Sequence, residues 1–149
     1  MRKFAIAIAT AALATSLTAC SGAGNDAPTR MINQVTDGVD ANLKDENTLI
    51  YLRNIYVAVN EAGDASLVGT IINQKNTNDA LIALAINQQE IKISPLPALQ
   101  NKPITFGGDI SNAAASLPNS GLVAGAHTKV SFFFGLGGTV TVEALVVNA

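Results

Sequence analysis

Few side chains in this 149-residue chain could bind a metal ion or act as a nucleophile. The chain has one histidine, His127, one cysteine, Cys20, and two methionines, Met1 and Met31. Imidazole and thioether groups can ligate metal ions, but the mature chain has only one of each, His127 and Met31. We therefore expect no metal or other cofactor.

Groups for covalent or acid–base catalysis are also scarce. A hydrolytic triad needs a nucleophile, a base and an orienting acid, but His127 is the only imidazole and no serine lies in a Gly-x-Ser-x-Gly context. The acidic pairs Asp45–Glu46 and Glu61–Asp64 lie in predicted turns, where such residues are common. The sequence therefore predicts a protein that is not an enzyme.

Cys20 follows a segment that is typical of export signals. Arg2 and Lys3 precede an apolar stretch, residues 4–17, which is shorter than the roughly 20 residues of a membrane-spanning helix. Residues 17–20 read Leu-Thr-Ala-Cys, which resembles the bacterial lipobox. The resemblance implies cleavage between Ala19 and Cys20 and a diacylglyceryl group on the cysteine sulfur. An ordinary signal peptide followed by a chance cysteine is the alternative.

Lipidation of Cys20 would decide where the protein is located. Two acyl chains, of which palmitate is typical, are enough for stable anchoring because each buried methylene contributes about 0.8 kcal/mol. Residues 20–30 contain Gly, Ser, Asn and Pro and are predicted to form a tether. We expect residues 1–19 to be removed and the remainder to be anchored in the cell membrane, on its extracytoplasmic face.

The charge of the mature chain limits its partners. Without Arg2 and Lys3, seven basic side chains remain against eleven acidic ones. A mildly acidic chain without a basic cluster is a poor partner for a phosphate backbone, so we expect no nucleic acid. The expected partners are membrane lipid, through Cys20, and an unidentified envelope protein or ligand.

The pattern of apolar residues from position 31 onward favours strands. Short runs rich in Val, Ile, Thr and Phe alternate with turns rich in Gly, Asn and Asp; they lie at 48–59, 65–73, 81–86, 91–94, 104–106, 128–134 and 139–147. Residues 81–86 are predicted to be buried on both faces, and Pro95 and Pro97 are predicted to end the fourth run. A four-residue apolar spacing from Met31 to Leu43 could indicate a helix, but Gly38 lies within it and we favour extended structure.

About seven short strands without a long helical segment predict one all-β domain, residues 31–149. The predicted fold is an antiparallel two-sheet sandwich of the immunoglobulin-like or cupredoxin-like kind. In the last hairpin, alternation places Phe133 on the face opposite Phe132 and Phe134. If that face is exposed, Phe133 beside Leu145 or Val147 forms a candidate interaction patch; the alternative is that a connecting segment such as 109–126 covers it.

Several segments resemble a known group of envelope proteins. The residues that carry the likeness are 36–41 (TDGVDA), 52–55 (LRNI), 63–73 (GDASLVGTIIN), 79–81 (DAL) and the Phe-rich hairpin. They are similar to small actinobacterial lipoproteins of the LpqE-like set, which is grouped with the periplasmic copper chaperone domain of the PCuAC type. The resemblance implies a β-sandwich, and copper chaperones of that type share two His and two Met ligands that this chain lacks.

Two functions follow as hypotheses from these observations. The first is a non-enzymatic, membrane-anchored module that binds another component of the cell envelope. The alternative, which the resemblance implies, is a copper-handling, chaperone-like protein with a reduced ligand set, in which His127 and Met31 contribute to a site shared between chains.

Overall fold

The computed structural model describes residues 38–149, which belong to one compact unit. Ala19, Cys20, the tether and Met31 lie outside the described residues, so the predictions made for them are not tested by the structure. None of the described residues forms a helix that could span a membrane. The ten strands are β1 (Val39–Lys44), β2 (Leu49–Val59), β3 (Ala65–Asn73), β4 (Asp79–Ile86), β5 (Gln89–Ile91), β6 (Leu96–Ala98), β7 (Ile104–Phe106), β8 (Ser116–Leu117), β9 (His127–Phe134) and β10 (Gly138–Asn148).

Alternating apolar residues explain the long strands. In β3 every second residue from Ala65 to Asn73 is buried, and the residues between them are at least partly exposed. The same period of two runs through β9, where Val130, Phe132 and Phe134 point inward. Because successive side chains of a strand point to opposite faces, each of these strands covers one side of a single core.

The sheet order is β5-β4-β9-β10-β2-β3-β7, with β1 paired to β2, β6 to β4 and β8 to β3. The path curls into two layers, which meet at β10. Residues 138–145 of β10 pair antiparallel with β9, whereas Val146–Asn148 pair parallel with Val57–Val59 of β2. This confirms the predicted all-β, sandwich-like class, although ten strands replace the expected seven and one pairing is parallel.

The core takes side chains from both layers. One layer contributes residues of β2, β3, β7 and β8, and the other contributes residues of β4, β5, β6, β9 and β10. The largest fully buried side chains are Phe106, Phe132, Ile50, Leu52, Ile55, Leu67, Ile71, Leu81, Leu84, Ile86, Val57 and Val130.

Three details of the predicted strands are wrong, and one of them is the run 91–94, of which only Ile91 lies in a strand, β5. Strand β4 is not buried on both faces, because Ile82 is 48% exposed, and a bulge between Leu81 and Ala83 turns this residue outward. Pro97 does not end the strand region but lies inside β6, where it pairs with Ala80. An edge strand tolerates proline because an absent N–H on the outer side breaks no ladder bond.

A bulge in β2 requires a glycine in the neighbouring strand. The register of β2 with β3 shifts between Arg53 and Tyr56, and Asn54 there has a φ of 53°. Gly69 of β3 faces the bulge with a φ of 145°. A Cβ atom at Gly69 would lie 2.5 Å from Cδ1 of Ile55 and 3.0 Å from the carbonyl oxygen of Asn54.

Replacing this glycine should therefore destabilise the domain strongly. We predict that Gly69→Ala lowers the free energy of unfolding by about 2–4 kcal/mol, since a strained φ adds to overpacking. Gly63→Ala is the matched control: its φ is also positive, 84°, but no atom lies within 4 Å of the added Cβ, so about 1 kcal/mol is expected. Urea denaturation measures both, and equal losses would contradict the role of the bulge.

Candidate functional site

His127 begins β9 at one end of the sandwich, with its side chain exposed. It lies opposite Leu145 of β10 in the antiparallel register. The loop before it is held by backbone bonds, because the N–H of Gly125 donates to the carbonyl of Val146 at 2.8 Å and the N–H of Val146 donates to the carbonyl of Ala126, also at 2.8 Å. The imidazole is therefore accessible and stands on a fixed backbone.

The chain enters the described fold near the same place. Val39 of β1 pairs with Ile55, and Val146 of β10 pairs with Val57. Since β3 occupies the other edge of β2, β1 and the end of β10 share one edge, and β1 contacts β10. Ile55 and Val57, the partners of Val39 and Val146, are two residues apart on β2, which corresponds to about 7 Å. Val39, the first residue of β1, therefore lies at the edge of β2 that also holds the end of β10, the strand paired with His127.

The donor set of the described domain does not fit a copper site of two His and two Met. Residues 38–149 contain one histidine, no methionine and no cysteine. Within this part of the chain no three His, Cys, Asp or Glu side chains come close enough together to hold a metal ion. A copper ion bound by this protein would need His127 together with ligands from outside these residues.

One carboxylate of each acidic pair, Asp45 and Asp64, accepts backbone hydrogen bonds. Asp45 accepts hydrogen bonds from the backbone N–H groups of Asn47 and Thr48, both at 2.7 Å, and these bonds, that from Asn47 foremost, hold its pKa below the usual value. Asp64 accepts the N–H of Asn119 at 3.0 Å and so ties two loops together.

Arg53 lies within the largely apolar strand β2 and has a structural role. Its guanidinium donates to the carbonyl of Ala41 at 3.1 Å and to Oδ1 of Asn42 at 2.8 Å. Its Nε lies 3.6 Å from Asp40, and the guanidinium carbon lies 4.4 Å from the ring centre of Tyr51. These contacts fix β1 against β2, so Arg53 is not a free ligand-binding group.

Asp79 is a structural residue that the sequence did not reveal. Its Oδ1 accepts the N–H of Leu136 and its Oδ2 accepts the N–H of Gly137, both at 2.9 Å. The start of β4 is thereby tied to the loop of the β9–β10 hairpin. The donors are 57 and 58 residues away in the chain, and no local pattern signals such a distant contact.

The structure places Phe133 far from Leu145 and Val147, the other two residues of the predicted interaction patch. Phe133 pairs with Thr139 on β10 and with Ala83 on β4, whereas Leu145 pairs with His127. Six residues of strand, about 20 Å, separate Phe133 from His127, so the expected placement of Phe133 beside Leu145 or Val147 is wrong. All three side chains are partly buried, and binding of a partner by any of them stays a prediction.

Solved structures with a similar fold include PCuAC domains. The apo PCuAC domain from PmoF1 superposes with a TM-score of 0.61 at 16% identity, covering 74% of this chain and 100% of that domain. The copper-bound PCuAC domain from PmoF2 gives a TM-score of 0.60 at 14% identity, covering 74% of this chain and 99% of that domain. At such identities the likeness shows the fold alone.

Sequence comparison adds no relative. No family model matches the chain, and no curated protein matches it. The PCuAC part of the expected resemblance is supported as a fold, whereas the narrower LpqE-like identity finds no support in these comparisons.

Proposed function

We propose that this protein is a non-enzymatic, copper-handling domain of the cell envelope that works with a reduced ligand set. The observation that carries the proposal is the fold: the chain matches PCuAC domains over their whole length, one of them bound to copper. The same fold can host different functions, so a copper site also requires suitable ligand atoms in this chain.

His127 is the residue of the described domain best suited to hold copper. Its side chain is exposed at the end of the sandwich, and a neutral imidazole is a copper ligand. Among residues 38–149, no Asp or Glu forms an ion pair with His127 within 4.0 Å. The only ion pair in this part of the chain is Arg53–Asp40.

Met31 of the same chain is the proposed second ligand, so the proposed site lies within one chain and not between two chains. It precedes Val39 by eight residues, a stretch that can reach up to about 26 Å. Because Val39 lies along the same edge of β2 as the end of β10, that reach includes His127. A thioether and an imidazole together favour Cu(I) over harder ions, and a site with so few ligands is suited to passing the ion on.

A module that binds another envelope component without copper is the second candidate. The observation in its favour is the shortage of donors, since residues 38–149 provide one histidine and no sulfur. Both candidates include the lipid anchor on Cys20 and neither includes catalysis.

The copper proposal predicts a binding site that depends on both ligands. A Cu(I) competition titration against a chromogenic chelator, on residues 21–149 without lipid, should give one ion per chain. His127→Ala and Met31→Leu should each weaken binding tenfold or more because each removes one of two ligands. Lys129→Ala, an exposed neighbour of His127 on the same face, is the control and should bind like the parent chain.

The titration separates the two candidates. Binding that is unaffected by His127→Ala would show adventitious copper and overturn the proposed ligand set. If the parent chain binds no copper, the second candidate remains, a module that binds another envelope component.

The anchor is tested with the whole precursor. When it is expressed in bacteria fed labelled palmitate, the chain should take up the label and sediment with membranes, whereas Cys20→Ser should do neither because it lacks the thiol. Ser21→Ala, the adjacent substitution, should behave like the parent. Membrane attachment that persists in the Cys20→Ser variant would show that the lipobox assignment is wrong.

A further inference from the structure

A groove lies on the outer face of the layer that contains β4, β5 and β9. Its volume is about 350 Å³, and it is lined by Ala83, Ala85, Gln88, Glu90 and Phe133. The register explains the shape: Ala83 lies beside Phe133, and Ala85 lies beside Glu90. Two small side chains next to a large ring leave a trough with an apolar floor, of a volume typical of ligand sites.

The two ends of this groove differ in character. At one end the bulge in β4 turns the side chain of Ile82 outward. This side chain is 48% exposed and adds an apolar rim to the groove. At the other end Glu90 is exposed, and among residues 38–149 it forms no ion pair within 4.0 Å. Ile82 lies three residues, about 10 Å, from Ala85, the partner of Glu90.

The turn between β4 and β5 holds the acidic end in place. Asn87 and Gln88 have φ values of 51° and 63°, which are uncommon for residues other than glycine. The N–H of Asn87 donates to the carbonyl of Lys129 at 2.9 Å, so β9 supports the turn. Two consecutive left-handed residues are the normal geometry of a two-residue hairpin turn, so Glu90 follows a well-defined turn.

We propose that this groove docks a segment of an envelope protein that presents an apolar side chain and a basic one about 10 Å apart. The apolar side chain lies against Ile82 and Phe133, and the stem of the lysine or arginine covers Ala83 and Ala85. The charged head meets Glu90, the only charged residue that lines the groove. Charge complementarity and the apolar floor favour this occupant; its place in the envelope rests on the proposed function, whereas copper binding plays no part.

The test uses the mature lipidated chain in detergent, with labelled alanine methyl groups. The probe is a short acetylated peptide that carries one leucine and one lysine spaced to match the groove, and its partner probe has glutamate in place of lysine. The lysine peptide should shift the methyl signals of Ala83 and Ala85, and the glutamate peptide should bind at least threefold more weakly.

Charge reversal makes the outcome decisive. With Glu90→Lys the preference between the two peptides should invert, whereas the control Glu61→Lys, whose site lines a different surface pocket, should leave it unchanged. Equal binding of both peptides, or a preference that Glu90→Lys does not alter, would overturn the proposal. Methyl shifts that grow with protein concentration alone would show that a second copy occupies the groove, and would overturn it as well.

Discussion

Strand β10 is the element on which the rest of the structure depends, because it belongs to both layers. Its first eight residues bond to β9, and its last three bond to β2 in the parallel sense. The first pairing sets His127 opposite Leu145, and the second brings the beginning of β1 to the same end of the molecule. A sandwich whose layers were joined only by loops would not fix the spacing of these two features.

Strands in which apolar residues alternate regularly could be predicted from the sequence, whereas contacts between residues far apart in the chain could not. The ends of β3 were predicted to the residue, since Ala65 to Asn73 alternate between buried and exposed positions and a turn precedes them. Strand β8 has only two residues and Pro97 lies in an edge strand, so neither leaves a periodic pattern. The parallel contact of β10 with β2 and the bonds of Asp79 join residues far apart in the chain, and no local signal predicts such contacts.

The residues that build the core are not residues that could bind a metal ion, so the fold does not require a metal site. The core is built from aliphatic and aromatic side chains of both layers, and none of these could ligate a metal ion. A PCuAC-type architecture is therefore compatible with a chain that has one histidine and, in residues 38–149, no methionine. Among residues 38–149, the imidazole of His127 is exposed at the start of β9, a strand that pairs with β10 and β4.

X-ray absorption at the copper edge, measured on the protein loaded with one equivalent of Cu(I), tests the central claim most directly because it counts ligand atoms by element. The account predicts a shell of low coordination number with one imidazole nitrogen, lost in His127→Ala, and one sulfur, lost in Met31→Leu. A shell of nitrogen and oxygen atoms that is the same in all three proteins would contradict it.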